Sequence, residues 1–132
     1  MSFFGTQALL QVMAGGAIYA PSWHISLVLN AGDPWDDPIA TWEVPGSRVA
    51  YTGGWVEDGT YSDGLYQGAV CNDTQIDVPS PVASSVRYIA VFPSSTSEEW
   101  LFLNRLSTYP RDLYAGDYLR FPASTISYII YN

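Results

Sequence analysis

Charge is the scarcest property of this sequence. Only 14% of its 132 residues are charged, and Lys plus Arg number 5 against 13 Asp plus Glu, for a net charge of −8. Nucleic-acid binding needs clustered cations to neutralise phosphate, so this balance argues against that class. It argues equally against an anionic membrane surface. The single cysteine, Cys71, excludes an intrachain disulfide, and nothing points to an oxidising compartment. No basic segment precedes the first apolar residues, and no apolar run is long enough to span a bilayer. Neither a signal peptide nor a transmembrane span is therefore expected. His24 is the only histidine, so no second imidazole can help to bind zinc.

Aromatic residues, by contrast, are plentiful at 15%. Interfaces favour Tyr, Trp and Met and are depleted of Lys and Glu. The composition thus suggests that part of the outer surface is covered in the working state; a monomer with a tyrosine-rich surface is the alternative. A chain of 132 residues is long enough for one hydrophobic core. No repeat, low-complexity tract or linker divides it, so residues 1–132 are read as one domain.

Along the chain, Ser2 can cap a short helix from Phe3 to Ala14. Phe3, Thr6, Leu9, Leu10 and Met13 share a stripe at helical spacing, and Gly15-Gly16 provides the stop. Trp23–Leu29 alternates as a strand, with Trp23, Ile25, Leu27 and Leu29 on one face and His24, Ser26 and Val28 on the other. The proline- and aspartate-rich stretch Asn30–Pro38 is a loop. Trp42-Glu43-Val44 is a possible strand, and Arg48–Thr52 is a further one. Gly53–Gly64 is a loop, followed by weak strands at Leu65–Cys71 and Thr74–Val78. Val86–Phe92 is apolar on both faces and is expected at the centre of a sheet. Trp100–Leu106 has the same character. Gly116-Asp117 then turns the chain into two alternating segments, Tyr118–Phe121 and Ile126–Ile130, which read as an antiparallel pair closing the domain and tying down its end. Short strands punctuated by Pro and Gly predict an all-β fold: an antiparallel, jelly-roll-like β-sandwich with a short N-terminal helix and cap over residues 1–16.

The order of these segments resembles a family of small β-proteins of tailed bacteriophages, described as tail-fibre or minor structural proteins. The features that carry the resemblance are Trp23 to Leu29, Asp33-Pro34, Glu43-Val44-Pro45-Gly46, Arg48 and the run Ala115-Gly116-Asp117-Tyr118-Leu119-Arg120-Phe121-Pro122-Ala123. Val86–Phe92 and Trp100–Leu106 look like the family's two core strands. The sequence departs from the pattern at Ser47, where no Tyr-x-Arg occurs, and in the long acidic loop from Trp55 to Tyr66. The resemblance implies a virion component without catalytic residues.

The residues themselves offer little chemistry. His24 has no Gly-x-Ser-x-Gly nucleophile to serve and reads as structural or surface. Asp33, Asp36 and Asp37 lack the order of a calcium loop and read as a solvated turn. Glu57, Asp58 and Asp63 surround Trp55, Tyr61 and Tyr66. They could support sugar binding, but nothing sets one acid apart from another as a glycosidase requires. Glu98-Glu99 is a charged hairpin tip. Arg105, Arg111 and Arg120 are scarce cations, able to pair with a carboxylate of this chain or of a neighbour.

The expectation is therefore a non-enzymatic virion structural protein, without cofactor or metal, assembled in the host cytoplasm. The preferred role is capsid decoration, or cement. It would contact the major capsid protein or other virion proteins as a homo-oligomer, a dimer or a trimer. Trp35, Trp42, Trp55 and Tyr61 are the expected loop contacts, with Phe3, Leu10 and Met13 on the helix stripe as the other candidates. The alternative is a tail-fibre or baseplate module, one that could bind host glycan.

Overall fold

Ser84–Phe92 carries apolar side chains on both faces, and it takes the central position that such a pattern requires. The computed structural model describes residues 23–30, 41–57 and 66–131. Ten strands are present among them: β1 His24–Leu29, β2 Val49–Ala50, β3 Trp55–Glu57, β4 Tyr66–Asn72, β5 Ile76–Ser80, β6 Ser84–Phe92, β7 Phe102–Arg105, β8 Arg111–Leu113, β9 Asp117–Phe121 and β10 Ser127–Tyr131. Every pairing is antiparallel, and no α-helix occurs among the described residues. The protein is all-β over that region. The helix expected at residues 3–14 lies outside it.

The largest sheet has five strands in the order β2-β1-β6-β7, with β8 also on β6. β7 pairs with the C-terminal half of β6 and β8 with its N-terminal end. Alternation then sorts the side chains. Ile25, Leu27, Val86, Ile89, Val91 and Phe102 enter the main core, while Val28, Ala90 and Phe92 form a smaller cluster. A fully buried side chain of this kind contributes about 1.5–3 kcal/mol. Trp55 on β3, Val78 on β5 and Leu119 on β9 join the same main core, so all three sheets share it.

The N-terminal edge of this sheet is fastened by polar contacts. Trp42-Glu43-Val44 forms only an isolated bridge, Val28 to Glu43, and the strand expected over Arg48–Thr52 shortens to β2. Ser47, fully buried, accepts the Leu27 N–H through its hydroxyl at 3.1 Å. Arg48 donates to Glu43 at 2.7 Å and lies 3.5 Å over the Phe92 ring. It also donates to the carbonyls of Ser94 and Ser97. Two residues of the Glu43–Arg48 stretch are thus joined as an ion pair.

β4 and β5 run consecutively along β10 and β9. Cys71 faces Ser127 and Ile76 faces Phe121. Between those pairs the four residues 72–75 oppose the five residues 122–126, so the ribbon turns a corner with one residue in excess. Asn72, fully buried, fills the corner. Its Oδ1 accepts the N–H groups of Thr125 (3.1 Å) and Ile126 (2.8 Å), and its Nδ2 donates to the carbonyls of Thr74 (2.9 Å) and Pro122 (3.0 Å). This corrects the expectation that Tyr118–Phe121 and Ile126–Ile130 pair with each other. The link between them is held against Asn72 and sends its two strands to different sheets.

Candidate functional site

All five cationic side chains are arginines, at positions 48, 87, 105, 111 and 120. Arg48 is committed to Glu43. Arg120 pairs on the outer face with Asp77 through two bonds of 2.9 and 3.2 Å. That hydrogen bond holds the Asp77 carboxyl below its usual range and raises Arg120. Arg87, Arg105 and Arg111 have no carboxylate partner among the described residues, although acids outnumber cations 13 to 5. Instead, the guanidinium groups of Arg87 and Arg105 lie 4.8 and 4.9 Å from the centre of the Tyr109 ring. Such contacts are attractive but leave both charges uncompensated.

The fold brings Arg105, Arg111 and Arg120 around one groove of about 430 Å³, floored by Ile89, Leu119 and Ile126. Besides Ile89 of β6, three segments build it: the end of β7 with residues 106–108, the start of β8, and β9 with the link that leads into Ser127 of β10. β7 and β8 follow one another along the same side of β6, and the groove opens where that edge is interrupted. On the opposite wall, β9 pairs only with β5 among the described residues. Pro79 has no N–H, so its pairing with Tyr118 is of the non-hydrogen-bonded kind. The ladder therefore runs through Val78–Leu119 and Ile76–Phe121, and the N–H and C=O of Tyr118 and Arg120 point away from β5. No residue of β5 lines the groove, which places it on that open side of β9.

Three tyrosines that adjoin these segments in sequence are exposed, though none lines the groove. Tyr114 is 80% exposed, Tyr118 52% and Tyr109 40%. Tyr118 stacks at 5.5 Å under Arg120. This surface combines hydroxyl-bearing rings with forked cations, which suits carboxylates and other anions.

Of the contact residues expected from sequence, Trp42 and Trp55 are described, and neither lines the groove. Trp42 is half-buried against Val28, Ala90 and Phe92. Its Nε1 is buried with no hydrogen-bond partner among the described residues. Trp55 is only 8% exposed and sits edge-on to Trp23 and Tyr51, at 5.6 and 5.4 Å. It is a core residue rather than a loop contact, because β3 turns its ring inward. Phe3, Leu10, Met13, Trp35 and Tyr61 fall outside the described residues, as do Asp33, Asp36, Asp37, Asp58 and Asp63. His24 is half-buried on β1. No group of His, Cys, Asp or Glu able to hold a metal occurs among the described residues. Nor, among these, is any helix long and apolar enough to cross a membrane.

A second polar cluster supports the Trp55 turn. The Tyr51 hydroxyl donates to the Gly54 carbonyl at 2.6 Å. Asp73 accepts the Gly54 N–H at 2.7 Å and the Thr74 hydroxyl at 2.8 Å. These bonds, that from Thr74 foremost, hold the Asp73 carboxyl below its usual range, while burial raises the Tyr51 phenol. The cluster is a turn brace.

Sequence spacing gave no sign that Arg105, Arg111 and Arg120 converge, since they sit on three separate strands. Their scarcity was the one available signal. In comparisons with known proteins, the chain matches no family model and no curated sequence.

Proposed function

We propose that this is a non-enzymatic structural protein of a bacteriophage particle, and that it acts as a capsid decoration protein. In this reading the three sheets form a jelly-roll-like sandwich and the N-terminal residues add a helix. The protein docks on the major capsid protein or another virion protein as a homo-oligomer. An all-β antiparallel body agrees with what the phage-family resemblance implies. The single observation that carries the docking role is exposed Tyr109 lying against Arg87 and Arg105, neither of which has a carboxylate partner among the described residues. Tyr and Arg are the residue types that most often anchor protein interfaces. A surface of few charges and many rings gains from being covered.

Quantitative mass spectrometry of purified particles tests this. A decoration protein is expected at a copy number comparable with that of the shell subunits. A handful of copies per particle would move it to the tail, and absence from particles would overturn a virion role.

A further inference from the structure

We propose that the groove beside β9 binds an extended acidic segment of a partner protein. The segment adds to β9 as an edge strand and sets its carboxylates against Arg105 and Arg111. This rests on the docking role given above and names the chemistry of the partner.

Two independent features meet in the groove. The first is charge. In a protein of net charge −8, three of the five cations converge on one concavity, and two of those three have no carboxylate partner among the described residues. Like charges brought together without counter-charge repel one another, so an acidic ligand gains from Arg105 and Arg111, whereas Arg120 already has Asp77. The arginine fork grips a carboxylate by two parallel bonds, which a lone surface lysine cannot do. The second is backbone. The N–H and C=O of Tyr118 and Arg120 form an open strand edge along that wall, and they make no backbone hydrogen bond on that side among the described residues. An extended peptide laid on such an edge makes ladder bonds with it, and its alternate side chains enter pockets on the sheet face. Leu119 and Ile126 supply that apolar floor. A free anion would use the charges but not the edge. A neutral strand would use the edge but not the charges. An acidic strand uses both.

The test is a titration of the isotope-labelled full chain with a blocked peptide of about six residues alternating Glu and Val, ~20 Å long when extended. The matched Lys–Val peptide and inorganic sulfate serve as comparisons. The Glu–Val peptide is expected to bind and to slow exchange of the Tyr118 and Arg120 amides. The exposed pair of substitutions Arg105→Glu and Arg111→Glu should lower its affinity by about tenfold or more, the order expected for a charge-assisted bond. Arg111→Gln should lower it less, and the amide spectra of all variants should keep their dispersion. Equal binding of the Lys–Val peptide would overturn the proposal. So would binding in which sulfate competes fully while the two amides stay unprotected, which would mean anion capture alone. Co-sedimentation with particles is scored separately. If R105E/R111E still sediments with them and the peptide does not bind, the groove is refuted and the docking role stands. If neither form sediments while the peptide binds wild type, the groove stands and the virion role falls.

Discussion

Replacing Asn72 by alanine removes the buried side chain that fills the corner of the β4–β5 and β9–β10 ribbon. Four hydrogen bonds disappear with it, to Thr125 N, Ile126 N, Thr74 O and Pro122 O. Ile126 is 1% exposed, so its N–H is left buried without an acceptor, at a cost of about 2 kcal/mol. The other three groups are only part-buried, and water recovers some of each bond, leaving ~0.5–1 kcal/mol apiece. The expected loss is about 4 kcal/mol, a large share of the ~5–15 kcal/mol typical of a domain. For a chain of this size that corresponds to a fall in Tm of roughly 12–15 °C. Urea unfolding followed by tryptophan fluorescence measures it, because Trp23 and Trp55 pack together within the core. The midpoint should fall while the slope stays constant. Asn72→Asp keeps an acceptor but turns a carboxylate toward two carbonyls, and it should be at least as destabilised at neutral pH. A loss below about 1 kcal/mol in Asn72→Ala would refute the view that this side chain holds the corner.

Arg48→Ala leaves Glu43, whose side chain is 17% exposed, with only the Ser26 hydroxyl among the described residues, and should cost about 3 kcal/mol in the same assay. Pairing Arg48→Met with Glu43→Gln should recover part of that loss, since no charge is then stranded. Asp73 has a folded-state pKa below its ordinary value. Its contribution is therefore complete above about pH 4 and is lost as pH falls through the lowered value. Asp73→Asn should flatten the acid side of a plot of Tm against pH, and an unchanged acid limb would contradict this assignment.

Local alternation made much of the fold legible. Trp23–Leu29 presents the two faces its sequence dictates, with Ile25 and Leu27 in the main core and Val28 in the smaller cluster, although both faces are buried. Val86–Phe92 advertised a central position by being apolar on both faces, and it has β1 on one side and β7 and β8 on the other. The last two strands were seen as strands but paired wrongly. Adjacency in sequence favours a hairpin, and the signal that overrides it is one asparagine about fifty residues earlier, satisfied only in three dimensions. Trp55 shows the same limit. A tryptophan next to two glycines looks like a loop anchor, yet the Tyr51–Gly54–Asp73 brace turns it into the core. The groove was less legible still, because nothing in the spacing of Arg105, Arg111 and Arg120 shows that three strands deliver them to one place.

The pairing of β9 and β10 with β5 and β4 has a consequence for biosynthesis. Synthesis is vectorial, so β4 and β5 leave the ribosome before residues 117–131 are free to cover them. Until then they present unpaired rims and apolar Ile76 and Val78 to solvent. Closure across so wide a sequence gap is also slow. Yield in a recombinant host should therefore depend on translation rate and temperature more steeply than the stability of the finished fold alone would suggest.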